Sequence, residues 1–206
     1  MALMIRYDSV SGGCASTRRI LVAVALIVFG LITLLPVAAA GQAPSEPVVT
    51  VQEEHGIYSV RARFQVPQST AVALGVLTDY ERIPRFMPDI KTSVVLERTA
   101  GRAVVEQEGV SHFLMFSKRV HLVLEITEAA DALQFRDRCG RSFATYDGSW
   151  TLSAENGGAQ ILYELRAQPS FSVPASVLKR LFRRDSASMI ESLRQEIAKV
   201  EGRRRQ

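Results

Sequence analysis

Cysteine and histidine are both scarce in this chain. Its 206 residues include two cysteines, Cys14 and Cys139, and three histidines, His55, His112 and His121. Cys14 falls in an N-terminal segment with the character of a leader, so the remaining domain has one cysteine and no intrachain disulfide. The histidines lie on separate predicted segments without the spacing of a metal site. The sequence therefore predicts neither a disulfide framework nor a bound metal ion.

Sequence signatures of enzymes are also missing. The chain contains no G-x-S-x-G motif, no Walker sequence and no glycine-rich dinucleotide loop. No catalytic residues and no cofactor are therefore predicted. Asp137 and Glu106 could act as general acid or base only if they pointed inward. Cys139 is interpreted as a structural or incidental thiol; the alternative is a thiol activated by the flanking Arg138 and Arg141.

A strong net charge of one sign is absent too. The formal charge is +4, and basic and acidic residues nearly balance once residues 1–40 are set aside. This balance argues against nucleic acid as a partner. Basic residues do cluster at Lys179, Arg180, Arg183 and Arg184. They predict a solvated helix face or, alternatively, contact with an anionic membrane surface.

Residues 1–40 have the composition of a targeting segment. Arg18-Arg19 precede a long apolar run over 20–37, and three alanines over 38–40 follow it. Positive, apolar and small-residue regions in this order predict a signal peptide. An uncleaved membrane anchor is the alternative, because about 18 apolar residues are enough to span a bilayer. Either reading predicts export, with the protein periplasmic or anchored to the outer side of the cytoplasmic membrane.

After a short linker over 41–50, the chain is dominated by strand patterns. Apolar and polar residues alternate from Val60 to Val66, as in a strand with one buried face. Ala100-Gly101 and Asn156-Gly157 are turn sequences that predict hairpins. The sequence predicts about six to seven antiparallel strands, with two short helices after the first strand.

One long helix is predicted near the C-terminus. Apolar residues recur at helical spacing along one broad face of Pro174–Val200. Sheets twist, so an antiparallel sheet of this size curls, and its concave face can cover such a helix. The predicted fold class is therefore α+β, with a curled antiparallel sheet wrapped around a long C-terminal helix. Asp185 and Ser186 interrupt the apolar face, and residues 203–206 form a basic tail.

Two motifs connect this arrangement to a known superfamily. Leu77–Pro88 contains aspartate and tyrosine followed by proline, aromatic, aliphatic and proline residues, and Phe143–Trp150 begins with an aromatic residue and ends in G-x-W. With the order of elements, these motifs resemble the START-like (SRPBCC, helix-grip) superfamily. The resemblance is strongest to its coenzyme Q-binding and polyketide cyclase/dehydrase branch, and it implies a START-like domain over 51–202.

The resemblance also implies a cavity between the sheet and the long helix. The residues expected to line it are Phe64, Phe86, Met87, Phe113, Met115, Phe135, Trp150, Tyr163, Phe182, Ser186 and Met189. The alternative is that these large side chains fill a closed core, where aromatic residues and methionine are common. The interrupted helix face favours a partly hydrated cavity, because an unpaired carboxylate or hydroxyl is costly in a dry core.

The expected function is binding or transport of a hydrophobic small molecule, such as a lipid, an isoprenoid quinone or a polyketide-like compound. A cyclase/dehydrase-type enzyme is the first alternative. A membrane-surface or protein-interaction module is the second. It rests on the basic helix face and on the apolar run Leu114–Phe116, which forms either a loop or part of a strand. No feature of the sequence specifies an oligomeric state.

Overall fold

An eight-stranded antiparallel sheet and one long helix form the domain. The computed structural model describes residues 47–113 and 116–204. The strands in chain order are β1 (Val48–Glu54), β2 (Ile57–Val66), β3 (Ile90–Thr99), β4 (Arg102–Phe113), β5 (Phe116–Glu128), β6 (Ala132–Asp137), β7 (Phe143–Glu155) and β8 (Gly158–Pro169). Their order across the sheet is β1-β2-β8-β7-β6-β5-β4-β3. The predicted α+β fold class is confirmed.

The first hairpin is the main difference from the sequence prediction. β1 and β2 are joined by His55-Gly56, and both residues have positive φ angles, 51° and 80°. This is the backbone of a two-residue hairpin turn. Histidine is a weak turn signal, so the prediction treated two strands as one and reached six to seven instead of eight. The predicted linker over 41–50 is also too long, because β1 begins at Val48.

Pairing between distant segments joins the first hairpin to the rest of the sheet. β2 pairs with β8 along its length, with Val60 opposite Leu165 and Phe64 opposite Ile161. All four of these residues are buried. The hairpins predicted at Ala100-Gly101 and Asn156-Gly157 are present, and Gly101, Asn156 and Gly157 all have positive φ angles. The turn residues therefore determine where these two hairpins form, while the burial of apolar side chains determines the pairing of β2 with β8.

Short helices connect β2 to β3. Helix α1 (Thr70–Leu77) begins after Ser69, whose hydroxyl accepts a hydrogen bond from the Val72 N–H, as expected of an N-cap. A 3₁₀ turn, η1 (Tyr80–Arg82), leads into the one-turn helix α2 (Ile83–Phe86). The two predicted short helices are therefore present, although they follow the second strand.

The long helix, α3 (Ala175–Arg204), begins one residue later and ends four residues later than predicted. The Pro174 carbonyl accepts from the Leu178 N–H, so Pro174 caps the helix and does not lie in its first turn. The helix buries Leu178, Ile190, Leu193 and Ile197. Because it continues to Arg204, part of the predicted basic tail over 203–206 is helical.

Some predictions concern segments that lie outside the described residues. These segments are the leader over 1–40 and the pair Leu114 and Met115, which lies between β4 and β5 in the sequence. Over 47–113 and 116–204, none of the helices has both the length and the apolar character needed to cross a bilayer.

Candidate ligand-binding cavity

Two adjoining cavities lie between the inner face of the sheet and α3. Their volumes are about 220 Å³ and about 120 Å³. The side chains that border both are Met87, Ile90, Gln107, Tyr146, Tyr163 and Met189. The larger cavity extends toward the β4–β5 hairpin, and the smaller one toward α1 and the buried core.

The walls follow from the two-residue period of the strands. On β7, Trp150 comes four positions after Tyr146, so the two side chains point to the same face of the sheet. Gln107 on β4 pairs with Leu122 on β5, and both border the larger cavity. From the opposite side, α3 contributes Leu178, Leu181, Phe182, Ser186 and Met189. The space is therefore enclosed mainly by apolar groups, as in most small-molecule sites.

Aromatic rings form the floor between the two cavities. The centroids of Trp150 and Tyr163 are 4.4 Å apart, and those of Phe135 and Tyr163 are 6.4 Å apart. Phe135 lies directly over Gly148, where an added Cβ would be 2.6 Å from the ring and 2.3 Å from the Glu164 carbonyl oxygen. The glycine of the Phe143–Trp150 motif is therefore required because the Glu164 carbonyl oxygen and the Phe135 ring occupy the space that a side chain would need.

The floor also contains polar groups. The hydroxyls of Tyr146 and Tyr163 interact, and burial raises the pKa of Tyr146 to about 12 although the hydrogen bond from Tyr163 opposes this rise. Burial likewise raises the pKa of Tyr163 well above its ordinary value. Gln107 donates from Nε2 to Ser93 Oγ at 3.2 Å. Neutral hydroxyl and amide groups at this depth suit a carbonyl or hydroxyl on an otherwise apolar ligand.

A network of polar side chains lies at the outer end of the larger cavity. Ser111 Oγ donates to Asp185 Oδ2 at 3.1 Å, and Arg184 Nη2 donates to both Asp185 Oδ1 and the His112 carbonyl, at 2.9 and 2.8 Å. Asp185 thus joins α3 to β4. Ser186, next to it, is buried and borders the cavity. The interruption in the helix face therefore combines one structural carboxylate with one hydroxyl at the cavity.

The Leu77–Pro88 motif holds the cover of the cavity in place. Tyr80 is buried and donates from its hydroxyl to Glu128 Oε1 at 2.8 Å. Arg82 bonds to Asp79 at 3.2 Å and to Glu196 on α3 at 2.9 Å. These bonds attach the segment that carries Phe86 and Met87 to β5 on one side and to α3 on the other.

Most of the residues predicted for the site border one or both cavities. They are Phe86, Met87, Phe135, Trp150, Tyr163, Phe182, Ser186 and Met189. Phe64 is an exception, because it is 1% exposed and belongs to the closed core. Met115 and the side chain of Phe113 lie outside the described residues. The sequence prediction did not include Gln107 and Tyr146, which border both cavities. Tyr146 could have been found from the alternation on β7, because it shares a strand face with Trp150.

The acidic residues considered as general acids or bases do not reach the cavity. Asp137 accepts from the backbone N–H groups of Val123 and Gly140, at 2.8 and 2.9 Å. Glu106 contacts the His121 ring at 2.9 Å on the outer face of the sheet. Among the described residues, no His, Cys, Asp and Glu side chains group in a way that could hold a metal ion.

Solved structures share this fold at low sequence identity. A STAR-related lipid transfer protein from Xanthomonas axonopodis is 18% identical with a TM-score of 0.56, and the match covers 75% of this chain and 99% of that one. Zhui aromatase/cyclase from Streptomyces sp. R1128 is 12% identical with a TM-score of 0.60, covering 69% and 94%. Human STARD10 is 12% identical with a TM-score of 0.61, covering 80% and 78%.

These likenesses show that the chain shares the fold of START proteins, and they do not specify a ligand. None of the curated proteins matches the sequence. The model of one family, described as polyketide cyclase/dehydrase and lipid transport, matches residues 66–194. That match spans more than half of the chain and includes both motifs, the short helices, most of the sheet and the greater part of α3. The protein belongs to the polyketide cyclase/dehydrase and lipid transport family of START-like proteins.

Proposed function

We propose that this protein binds and carries a hydrophobic small molecule outside the cytoplasmic membrane. The observation that supports this most directly is the pair of apolar cavities between the sheet and α3, of about 220 Å³ and about 120 Å³. Burial of apolar ligand surface there contributes about 25 cal/mol per Å² to binding. The leader-like residues 1–40 support the proposed location.

The ligand class follows from how the polar groups are distributed. Tyr146, Tyr163 and Gln107 lie at the floor, and Ser186 lies on the helix wall. An elongated apolar molecule with one carbonyl or hydroxyl at its inner end satisfies these groups. Lipids, isoprenoid quinones and polyketide-like compounds all fit this description.

A cavity-blocking variant tests the proposal. Ser186→Phe places a ring on the cavity side of α3, whereas Ser176→Phe puts the same ring at an exposed position on the first turn of that helix. We expect Ser186→Phe to weaken binding of a fluorescent fatty-acid probe by at least about tenfold, because the ring occupies the apolar volume on which affinity depends. Ser176→Phe should bind as the parent protein does.

Native mass spectrometry gives an independent measurement. Protein purified from a membrane fraction should retain an apolar molecule that the fluorescent probe displaces. Circular dichroism confirms that each variant is folded before it is compared. Recovery of only ligand-free protein, together with equal probe binding by the two phenylalanine variants, would reject the carrier function.

The tyrosine pair also supports a second candidate, an enzyme of the cyclase/dehydrase type. In that case a neutral hydroxyl would hydrogen-bond to a ligand carbonyl and orient it for ring closure or loss of water. Tyr146→Phe distinguishes the two functions. A carrier keeps its probe affinity within a few-fold, whereas an enzyme loses turnover of a poly-β-ketone substrate while still binding it.

A further inference from the structure

A cluster of reactive side chains lies on the outer face of the sheet, away from the cavity. His121 on β5 has a side chain that is 17% exposed, and its ring contacts Glu106 on β4. Cys139 follows the end of β6 and is partly exposed, with its Sγ 3.6 Å from His121 Nδ1. Three elements of the fold therefore bring a thiol, an imidazole and a carboxylate together, and the imidazole contacts both of the other groups.

The position of the sulfur is fixed by how the edge of β5 is covered. β6 pairs with β5 only as far as Asp137, which lies opposite Leu124. Beyond that point the following loop takes over, with the Arg138 N–H donating to the Val123 carbonyl and the His121 N–H donating to Ser142 Oγ. The Cys139 thiol is thereby held against the His121 ring.

Glu106 assigns the tautomer of the His121 ring. Its Oε1 lies 2.9 Å from His121 Nε2, so Nε2 carries the proton and donates it to the carboxylate. The other nitrogen, Nδ1, then presents a lone pair toward Cys139 Sγ. A nucleophile, a base and a group that orients the base, in this order, make up the arrangement used to activate nucleophilic side chains.

We propose that Cys139 is a nucleophilic thiol that exchanges with disulfides, with His121 as its base and Glu106 as the residue that positions the base. The Cys139 proton passes to His121 Nδ1, and the thiolate attacks one sulfur of a disulfide. The S–S bond of the disulfide breaks as the new S–S bond forms, and the released thiolate takes up the proton. The products are a mixed disulfide at Cys139 and one free thiol.

Asp137 also contacts the sulfur, which is only partly exposed. Its Oδ1 lies 3.2 Å from Cys139 Sγ and accepts from the Val123 N–H. The thiol therefore has two neighbouring acceptors, the Asp137 carboxylate and His121 Nδ1, and in the proposed step the imidazole takes its proton. Small disulfides are the suitable partners, because the thiol is only partly exposed.

The test measures the rate at which Cys139 reacts with a small aromatic disulfide, 5,5′-dithiobis(2-nitrobenzoate). The full chain carries Cys14→Ser, which leaves Cys139 as its single thiol. At neutral pH we expect His121→Gln to slow the reaction by at least about tenfold, and Glu106→Gln to slow it by a smaller factor, because general bases contribute factors of this size or more. The matched control is His55→Gln, whose side chain is 91% exposed.

The pH dependence separates activation from a structural effect. At about pH 9.5, above the ordinary pKa of a cysteine thiol and below that of tyrosine, a thiol ionises without a base while the domain stays folded, so His121→Gln and the parent should react at similar rates there. A variant that merely buried the thiol would stay slow at every pH. The proposal is overturned if both variants react within twofold of the His55→Gln control at neutral pH, or if their deficit persists in alkali. Because the site lies outside the cavity, Ser186→Phe should not alter these rates, so this test is independent of the carrier function.

Discussion

Leu193 closes the inner end of the smaller cavity, and its removal should weaken the whole domain. Its side chain is 0% exposed, and it borders the cavity of about 120 Å³ together with Trp150 and Met189. Replacing a buried leucine with alanine costs about 2.7–5 kcal/mol, and the cost grows with the volume left empty. Because the new void would join an existing one that packed aromatic rings keep open, we expect a loss of about 4 kcal/mol in the free energy of unfolding.

Urea unfolding followed by circular dichroism measures this loss, and thermal unfolding should show a melting temperature lower by about 8–16 °C for a domain of this size. The matched control is Leu96→Ala on edge strand β3, where the side chain is 50% exposed and the expected cost is below about 1 kcal/mol. If the two variants differ by less than about 1 kcal/mol, the region around Leu193 is not a rigid, partly empty core, and the cavity would have to be a collapsible space.

Two further predictions concern the aromatic floor. Gly148→Ala should destabilise the domain by about 1–3 kcal/mol or more, since its Cβ would overlap the Phe135 ring and the Glu164 carbonyl; urea unfolding measures the cost, and an unchanged midpoint would contradict the proposed packing. The pKa values of Tyr58, Tyr80, Tyr146 and Tyr163 are all raised, mainly by burial, so the fold favours their neutral forms. Their contribution to stability should be complete below about pH 10, the unfolded tyrosine pKa, and should decline as pH rises from there through the folded pKa values. Tyrosinate absorbance and near-ultraviolet circular dichroism should therefore change together, and ordinary tyrosine titration in a protein that remained folded would refute this.

Local sequence patterns predicted much of the architecture. The alternation in Val60–Val66 and the turn residues Asn156-Gly157 were sufficient because side-chain period and turn conformation depend on neighbouring residues. The β1–β2 hairpin was missed where this local information was weak, since His55 adopts a positive φ without being a typical turn residue. Helix α3 was recognised from its apolar periodicity, and only its ends were misplaced.

The site shows where local reasoning reached its limit. Phe64 and Trp150 are both large, apolar and on predicted inner faces, but Phe64 lies where β2 meets β8 in the closed core and Trp150 lies beside the cavity. Periodicity assigns a side chain to a face of the sheet and does not tell how far that face is from the covering helix. That distance depends on the curl of the sheet and on the packing of α3.

Residue type and spacing were enough to predict most of the strands, the long helix, the two motifs and the polar break at Asp185 and Ser186. Only the tertiary structure decided that Asp185 bonds to Ser111, that Gly148 underlies Phe135, and that Cys139, His121 and Glu106 meet on the outer face. These contacts join residues that are far apart in the chain. They depend on strand register and on which segment covers an unpaired strand edge, and both are fixed only when the whole sheet forms.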